Sequence, residues 1–399
     1  MPELDVRSPA LSTLACVGAL ATILASTAVA QTTGGPEPTI RPALDGIFEA
    51  FETYPLVGIG EVHQVAQILD FYRDIVQDPR FAQEVGNVVV EFGGAAYQDV
   101  IDRYVAGETV PYAELRKVWT ETVGWVPAVP SEGYARFFGY VRQTNLGLPP
   151  EQRIKVWLGE PPIDWSEIDT TEEYRAIAAT RDSHAAGVIL HNILAENRKA
   201  LVIYGGGHLE RTDQWEREAS ALIAEADPGG PMSQGPSATL RDLVEAEYPG
   251  SFFVAMSYRG FRDEECTRRF EERFAEWPMP ALAVSVRGTT LEDAMRACLR
   301  PFDASQMRFP PSIPEDIQER VRAILTENVD RDRPLLADSV IFYAPAAELT
   351  VASQFIEFSL DEEWRAELER RNMLITGRPL GPQLGNGSPA SPVPYGGRD

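Results

Sequence analysis

Short, continuously apolar runs recur along the chain and alternate with stretches whose apolar residues fall three and four apart. Runs at 56–60 (LVGIG), 88–92 (VVVEF), 154–158 (IKVWL), 201–204 (LVIY), 252–256 (FFVAM), 282–286 (LAVSV) and 340–343 (VIFY) have strand length. Most lack the alternation of a half-exposed strand, so both their faces are expected to be buried, as in a parallel sheet covered by helices. Between them Ile68, Phe71, Tyr72, Ile75 and Val76 keep helical spacing, as do Ile101, Tyr104 and Val105, and residues 173–198 read as one long helix. Strand, helix and strand in repeated succession predict an α/β domain with a mostly parallel central sheet flanked by helices.

Residues 98–152 are too many for a simple crossover and carry Trp119, Trp125, Tyr134, Phe137, Phe138 and Tyr140. They predict a helical insertion after the second strand, either a lid or a longer helical layer. Residues 15–25 (ACVGALATILA) have the length of a signal-peptide core, and Ala28, Val29 and Ala30 form a small-x-small cleavage site before Gln31. Residues 1–30 therefore read as a signal peptide and the protein as exported, periplasmic or secreted. Residues 31–42 read as a linker and 43–376 as a single α/β domain. The last segment, 377–399, has six Gly and five Pro and reads as a disordered tail. No other run approaches the roughly 20 apolar residues of a membrane span, so no transmembrane span is expected in the mature chain.

Composition narrows the class of partner. The 399 residues include 60 acidic and 36 basic side chains, a formal net charge of −24. A surface built for nucleic acid needs clustered Lys and Arg, so that partner is excluded and a small-molecule or peptide substrate is expected. Hydrophobic residues at 44% and charged residues at 24% are ordinary for a globular protein. Past the expected cleavage point two cysteines remain, Cys266 and Cys298, either a disulfide suited to an oxidising compartment or two buried thiols.

Chemistry concentrates at the strand ends. In a parallel sheet the residues that follow the strands gather at one edge, where ligands bind. Gly60-Glu61-Val62-His63 ends one run, Glu91 with Phe92-Gly93-Gly94 ends the next, and Tyr204-Gly205-Gly206-Gly207-His208 ends another. Two of the chain's four histidines thus occupy Gly-x-x-His exits expected to converge. The Gly58-x-Gly60-x-x-His63 run is no dinucleotide fingerprint, because His replaces the third Gly and Glu61 stands where a pyrophosphate needs backbone N–H groups. No G-x-S-x-G elbow, H-E-x-x-H pair or P-loop occurs.

Glu61 and His63 are two apart and share a face if the strand conformation persists. Imidazole with carboxylate serves either as a general base with its orienting partner or as nitrogen and oxygen ligands for a divalent metal, in which case His63, His208 and Glu91 are the ligand candidates. On the helical segment before 201–204, Arg181, His184, Val188 and His191 fall on one face, and Arg181 is suited either to a developing oxyanion or to holding a catalytic carboxylate. Glu160, Asp164 and Trp165, after the run at 154–158, are candidates for the cleft wall.

Four segments, LVGIGEVH at 56–63, VVVEFGGAAYQDVIDRYVAGE at 88–108, RDSHAAGVI at 181–189 and ALVIYGGGHL at 200–209, resemble the superfamily that joins erythromycin esterases, ChaN-like haem-binding uptake proteins and Tiki/TraB proteins. The second segment is especially similar to the ChaN-like members. The resemblance implies a mostly parallel α/β sheet with a cleft at the strand ends. It places Glu61, His63, Glu91 and His208 at the family's site positions and Arg181 at its helix arginine. It also implies three possible activities: a hydrolase activating water, a haem or iron-binding uptake protein with a His or Tyr axial ligand, and a metal-dependent peptidase.

Overall fold

The structure is a computed structural model that describes residues 35–124, 126–227, 238–299, 303–332, 338–381 and 388–390. The expected signal peptide, Trp125 and most of the expected tail lie outside them. One sheet is built from β1 (Thr39–Pro42), β2 (Leu56–Glu61), β3 (Asn87–Gly94), β4 (Lys155–Glu160), β5 (Ala200–Gly205), β6 (Phe252–Ser257), β7 (Ala281–Val284) and β8 (Ser339–Phe342). The spatial order is β1-β7-β8-β6-β2-β5-β3-β4. All pairings from β8 across to β4 are parallel, and β7 and β1 extend one edge antiparallel. The α/β architecture read from the apolar runs is the one observed.

The doubly apolar strands have the burial that pattern demands. Val57 and Ile59 of β2 and Leu201 and Ile203 of β5 join a core with Ile47, Ile68, Phe71, Tyr72, Phe137 and Phe138 on one face. Leu56, Val202 and Val254 face the opposite side, against Ala185, Ile189, Leu240 and Val244. Removing each such side chain from water stabilises the fold by roughly 1.5–3 kcal/mol, and the period of two makes a register slip swap the faces. The first face is covered by helices Ala43–Thr53, Ala66–Gln77 and Glu132–Leu146, the second by Arg181–Ile189 and Leu240–Glu247. Ser131 caps Glu132–Leu146 by accepting from the Gly133 N–H. Gly133 lets that helix approach its neighbour, since a Cβ there would lie 2.1 Å from Leu69 Cδ1.

The segment 98–152 is helical and contributes to the main core. Trp119 stacks on Phe355 with centroids 5.8 Å apart, and Phe92 of β3 stacks on Tyr134 at 4.4 Å. At the antiparallel end Tyr258, Phe261, Phe270, Phe274 and Phe342 form a separate aromatic cluster. Beside it a Cys266–Cys298 disulfide joins helices Glu264–Glu271 and Thr290–Cys298, with Cα atoms 5.5 Å apart.

Three boundaries differ from the sequence reading. Residues 39–42, expected within the linker, are the edge strand β1; nearly all of its surface is exposed, so no apolar signal marks it. The single helix expected over 173–198 is divided into Thr171–Ala178 and Arg181–Ile189, with a π turn over Leu190–Leu194. Thr180 lies at the break, where its hydroxyl donates to Ile177 O at 2.7 Å and competes with the helix ladder. Within the expected tail, Ser388–Ala390 lies along Leu349–Val351: Val351 N donates to Ser388 O and Ala390 N to Leu349 O. Among the described residues no helix is long and apolar enough to cross a membrane.

Candidate functional site

Glu61 closes β2 with its carboxylate buried. Tyr134, one turn into its helix, donates its hydroxyl to Glu61 Oε1 at 3.0 Å. His63 Nδ1 lies 2.5 Å from Glu61 Oε2, and the same nitrogen is 3.3 Å from the Tyr134 hydroxyl. The chain turns at once after His63, with Gln64 in the left-handed region at φ 66. That turn is held by Gln64 Nε2 donating to Pro127 O and by Ala352 N donating to Gln64 O. Backbone over-determined in this way fixes where the imidazole points.

Glu91 on β3 accepts from the Gly205 N–H at 2.5 Å with Oε2 and from Arg181 Nη2 at 2.6 Å with Oε1. Arg181 also reaches Glu160, at the end of β4, through Nε at 2.9 Å and Nη2 at 2.7 Å. The helix break at Thr180 sets this up by making Arg181 the first residue of its helix. The next residue, Asp182, holds His208: His208 Nδ1 is 2.6 Å from Asp182 Oδ1, and its Nε2 is 3.7 Å from Glu91 Oε1. Next to His208, Leu209 packs over β2, where Gly58 and Gly60 leave the space. A Cβ on Gly60 would meet Met256 Sδ at 2.7 Å, and one on Gly58 would meet Leu209 Cδ1 at 3.2 Å.

The five residues singled out from sequence, Glu61, His63, Glu91, Arg181 and His208, thus gather at the carboxyl edge of β2, β3 and β5. Glu61, His63 and Glu91 open onto a narrow cleft of about 30 Å³ whose walls include Phe92, Trp119 and Tyr134. Arg181 and His208 stand behind it. Glu160 is not a cleft-wall residue but a fully buried partner of Arg181. His184 is outside the cluster, with its Nε2 buried and without a hydrogen bond, and burial lowers its pKa. His191 bonds the Gly187 carbonyl within its own helix at 2.8 Å.

Electrostatics differentiates the groups. Burial alone would push the His63 pKa down, but the charge and hydrogen bond of Glu61, with help from Glu91, lift it to about 9. His208 is likewise opposed by burial yet raised, by its bond to Asp182 and the charge of Glu91. For Glu91, burial is outweighed by Arg181 and the two histidines, and its carboxyl is held below the usual range. Glu160 goes the other way, raised by burial that Arg181 only partly offsets. Carboxyls driven apart in this manner are a signature of functional sites as well as of structural networks.

The expected metal set does not fit this arrangement. Among the described residues no three His, Cys, Asp or Glu are grouped to hold an ion. Arg181 already neutralises Glu91, and Asp182 already occupies His208 Nδ1. A porphyrin also exceeds the cleft, whose free volume of about 30 Å³ lies far below the roughly 300–1,000 Å³ of ordinary ligand pockets.

Sequence reasoning missed the roles of Tyr134, Asp182 and Glu160. Glu160 carried a usable signal, since it ends an apolar strand just as Glu61 and Glu91 do. Asp182 adjoins Arg181 in a helical first turn, but its partner lies 26 residues away. Tyr134 was one aromatic among several, distinguished only by the fold.

No protein-family model matches the chain, and no curated protein matches it either. Two solved structures are similar at a low level. The type III effector HopBA1 is 14% identical with a TM-score of 0.32, over 57% of this chain and 90% of that one. A Bacillus cereus protein is 13% identical with a TM-score of 0.32, over 57% of this chain and 73% of that one. At that level of superposition neither adds to the fold or the site described above.

Proposed function

We propose that the protein is an exported hydrolase that uses the Glu61–His63 pair to activate water against a polarised bond, an ester or amide, in a small-molecule or peptide substrate. The observation that carries this reading is the 2.5 Å contact of His63 Nδ1 with buried Glu61 where the cleft ends. A carboxylate on Nδ1 orients the ring and stabilises the imidazolium that forms when Nε2 takes a proton from water. The hydroxide then adds to the carbonyl carbon, and the imidazolium returns the proton to the leaving group as the tetrahedral intermediate collapses. Glu91, Arg181 and Glu160 form the charge framework behind this pair; Arg181 acts as a positioning residue, because its Nε and Nη2 are spent on the two carboxylates. The Cys266–Cys298 disulfide supports a location outside the reducing cytoplasm.

The test is turnover of a panel of activated esters and amides by the wild-type chain, His63→Ala and His208→Ala. Loss of at least about a hundredfold in His63→Ala, at an unchanged melting temperature, is expected of a general base. Unchanged turnover in both variants would overturn the reading.

A further inference from the structure

A second cavity, of about 310 Å³, lies at the edge of the sheet opposite the Glu61–His63 pair. Its volume falls within the roughly 300–1,000 Å³ of small-molecule sites, which the narrow cleft does not reach. Tyr54 and Pro55, which lead into β2, line it with Asn197, Arg198 and Lys199, which lead into β5, and with Tyr248. The length of β2, Leu56 to Glu61, separates the two places by about 17 Å of strand. Main-chain bonds fix the rim: Leu56 N donates to Ser251 O at 3.2 Å and Ala200 N to Pro55 O at 2.9 Å. The turn into β5 is equally defined. Asn197 is in the left-handed region at φ 51, its N–H donates to Leu194 O at 3.0 Å, and the Arg198 N–H donates to Ile193 O at 2.9 Å. Lys199 O accepts from Asn87 Nδ2 at 3.1 Å. A rim held in this way is already ordered before a ligand arrives, which lowers the cost of binding.

The charge of this cavity runs against that of the chain. The protein carries a net charge of −24, yet the cavity is lined by the cations Arg198 and Lys199 against the single carboxylate of Glu52. Lys155 is paired with Asp102, whereas among the described residues the half-buried Lys199 ammonium has no hydrogen bond or ion pair. Arg198 reaches only Glu196, at 3.7 Å, with both side chains exposed. Cations left uncompensated in a concave site attract an anion. The same walls offer flat apolar surface. Tyr54 rests on Phe253 with ring centroids 5.6 Å apart, and Tyr248, also on the wall, is 39% exposed. Tyrosine rings beside ammonium and guanidinium groups suit a ligand with an aromatic body and an oxyanion.

We propose that this cavity binds a small aromatic oxyanion, a ring bearing a carboxylate or phosphate, with the ring against Tyr54 and Tyr248 and the oxyanion on Lys199 and Arg198. The site is distinct from the Glu61–His63 cleft, and its ligand does not depend on the hydrolase reading. Calorimetric titration of the intact chain with benzoate, phenyl phosphate, benzyl alcohol and inorganic phosphate tests it. At least one of the two aromatic anions is expected to bind, about tenfold or more tighter than benzyl alcohol, which lacks the charge, and than inorganic phosphate, which lacks the ring. Lys199→Met should weaken that binding about tenfold, and Lys199→Arg, which keeps the charge, should weaken it less. Tyr248→Ala, at an exposed position, should weaken it about threefold to tenfold. His63→Ala, at the other edge of the sheet, should leave it unchanged. Three results overturn the proposal: neither aromatic anion binds the wild-type chain; benzyl alcohol or inorganic phosphate binds as tightly as they do; or Lys199→Met and Tyr248→Ala both bind as the wild type does. Binding lost in His63→Ala and kept in Lys199→Met would place the anion in the cleft and overturn it as well.

Discussion

Arg181 and Glu160 form a forked ion pair, Nε at 2.9 Å and Nη2 at 2.7 Å, in which the carboxylate has no solvent exposure. The same Nη2 holds Glu91 at 2.6 Å, so one guanidinium compensates two carboxylates. Removing one partner of such a buried group typically costs about 3–5 kcal/mol, because the others keep their desolvation penalty. Arg181→Met should lose stability of that order by urea denaturation, whereas Glu160→Gln, which leaves Arg181 its contact with Glu91, should lose less. A smaller loss in Arg181→Met than in Glu160→Gln would contradict the shared compensation.

The Glu61–His63 pair makes a prediction whose sign is fixed. His63 is raised to about 9 in the folded chain from an ordinary value of 6.5. Its stabilising contribution is therefore fully present below 6.5 and is lost as pH rises through about 9. Glu61→Gln removes the main raising charge, so the His63 titration followed by NMR should move down and this pH dependence should flatten. Catalysis has the opposite trend: a base must be unprotonated, so kcat/KM should rise with pH through a midpoint of about 9 and level off only above it. A limb that falls through the same pH would mean that His63 donates its proton in the first step.

The strand runs and the strand-end chemistry were legible because both are local in sequence. A buried parallel strand is a continuous apolar run, and a Gly-x-x-His exit immediately follows it. What escaped depends on contacts made elsewhere in the chain. β1 pairs with β7 and buries only part of Ile40, so Thr39–Pro42 shows no apolar pattern. Tyr134 and Glu61 meet across 73 residues, and neither sequence neighbourhood announces the other. The break at Thr180 was hidden because Thr is tolerated inside helices; the bonds of its hydroxyl and its backbone N–H to Ile177 O mark the end of the turn.

The disulfide should contribute to stability chiefly through the unfolded chain. Cys266 and Cys298 are 32 residues apart, and closing a loop of that length is worth about 3–4 kcal/mol in the chain-entropy model. The double variant Cys266→Ser, Cys298→Ser should therefore be less stable by about that free energy in urea denaturation. Intact-mass measurement before and after reduction and alkylation checks the bond directly; two thiols alkylated without reductant would contradict it.

Asp182 is the residue on which the second histidine depends. Its Oδ1 lies 2.6 Å from His208 Nδ1 and also accepts from the Leu240 N–H at 3.1 Å. Asp182→Asn retains an oxygen for Leu240 while removing the charge, so the helix Leu240–Glu247 should stay docked and the melting temperature should change little. His208 then keeps the burial that lowers its pKa and loses the first of the interactions that raise it. Its NMR titration should move down, and because a raised histidine stabilises the fold only below its folded pKa, the loss of stability should be larger at acid than at alkaline pH. With four histidines in the chain the resonance can be assigned from single His→Gln variants. If His208 titrates unchanged in Asp182→Asn, then Glu91 rather than Asp182 governs its protonation, and Glu91→Gln should produce the shift instead.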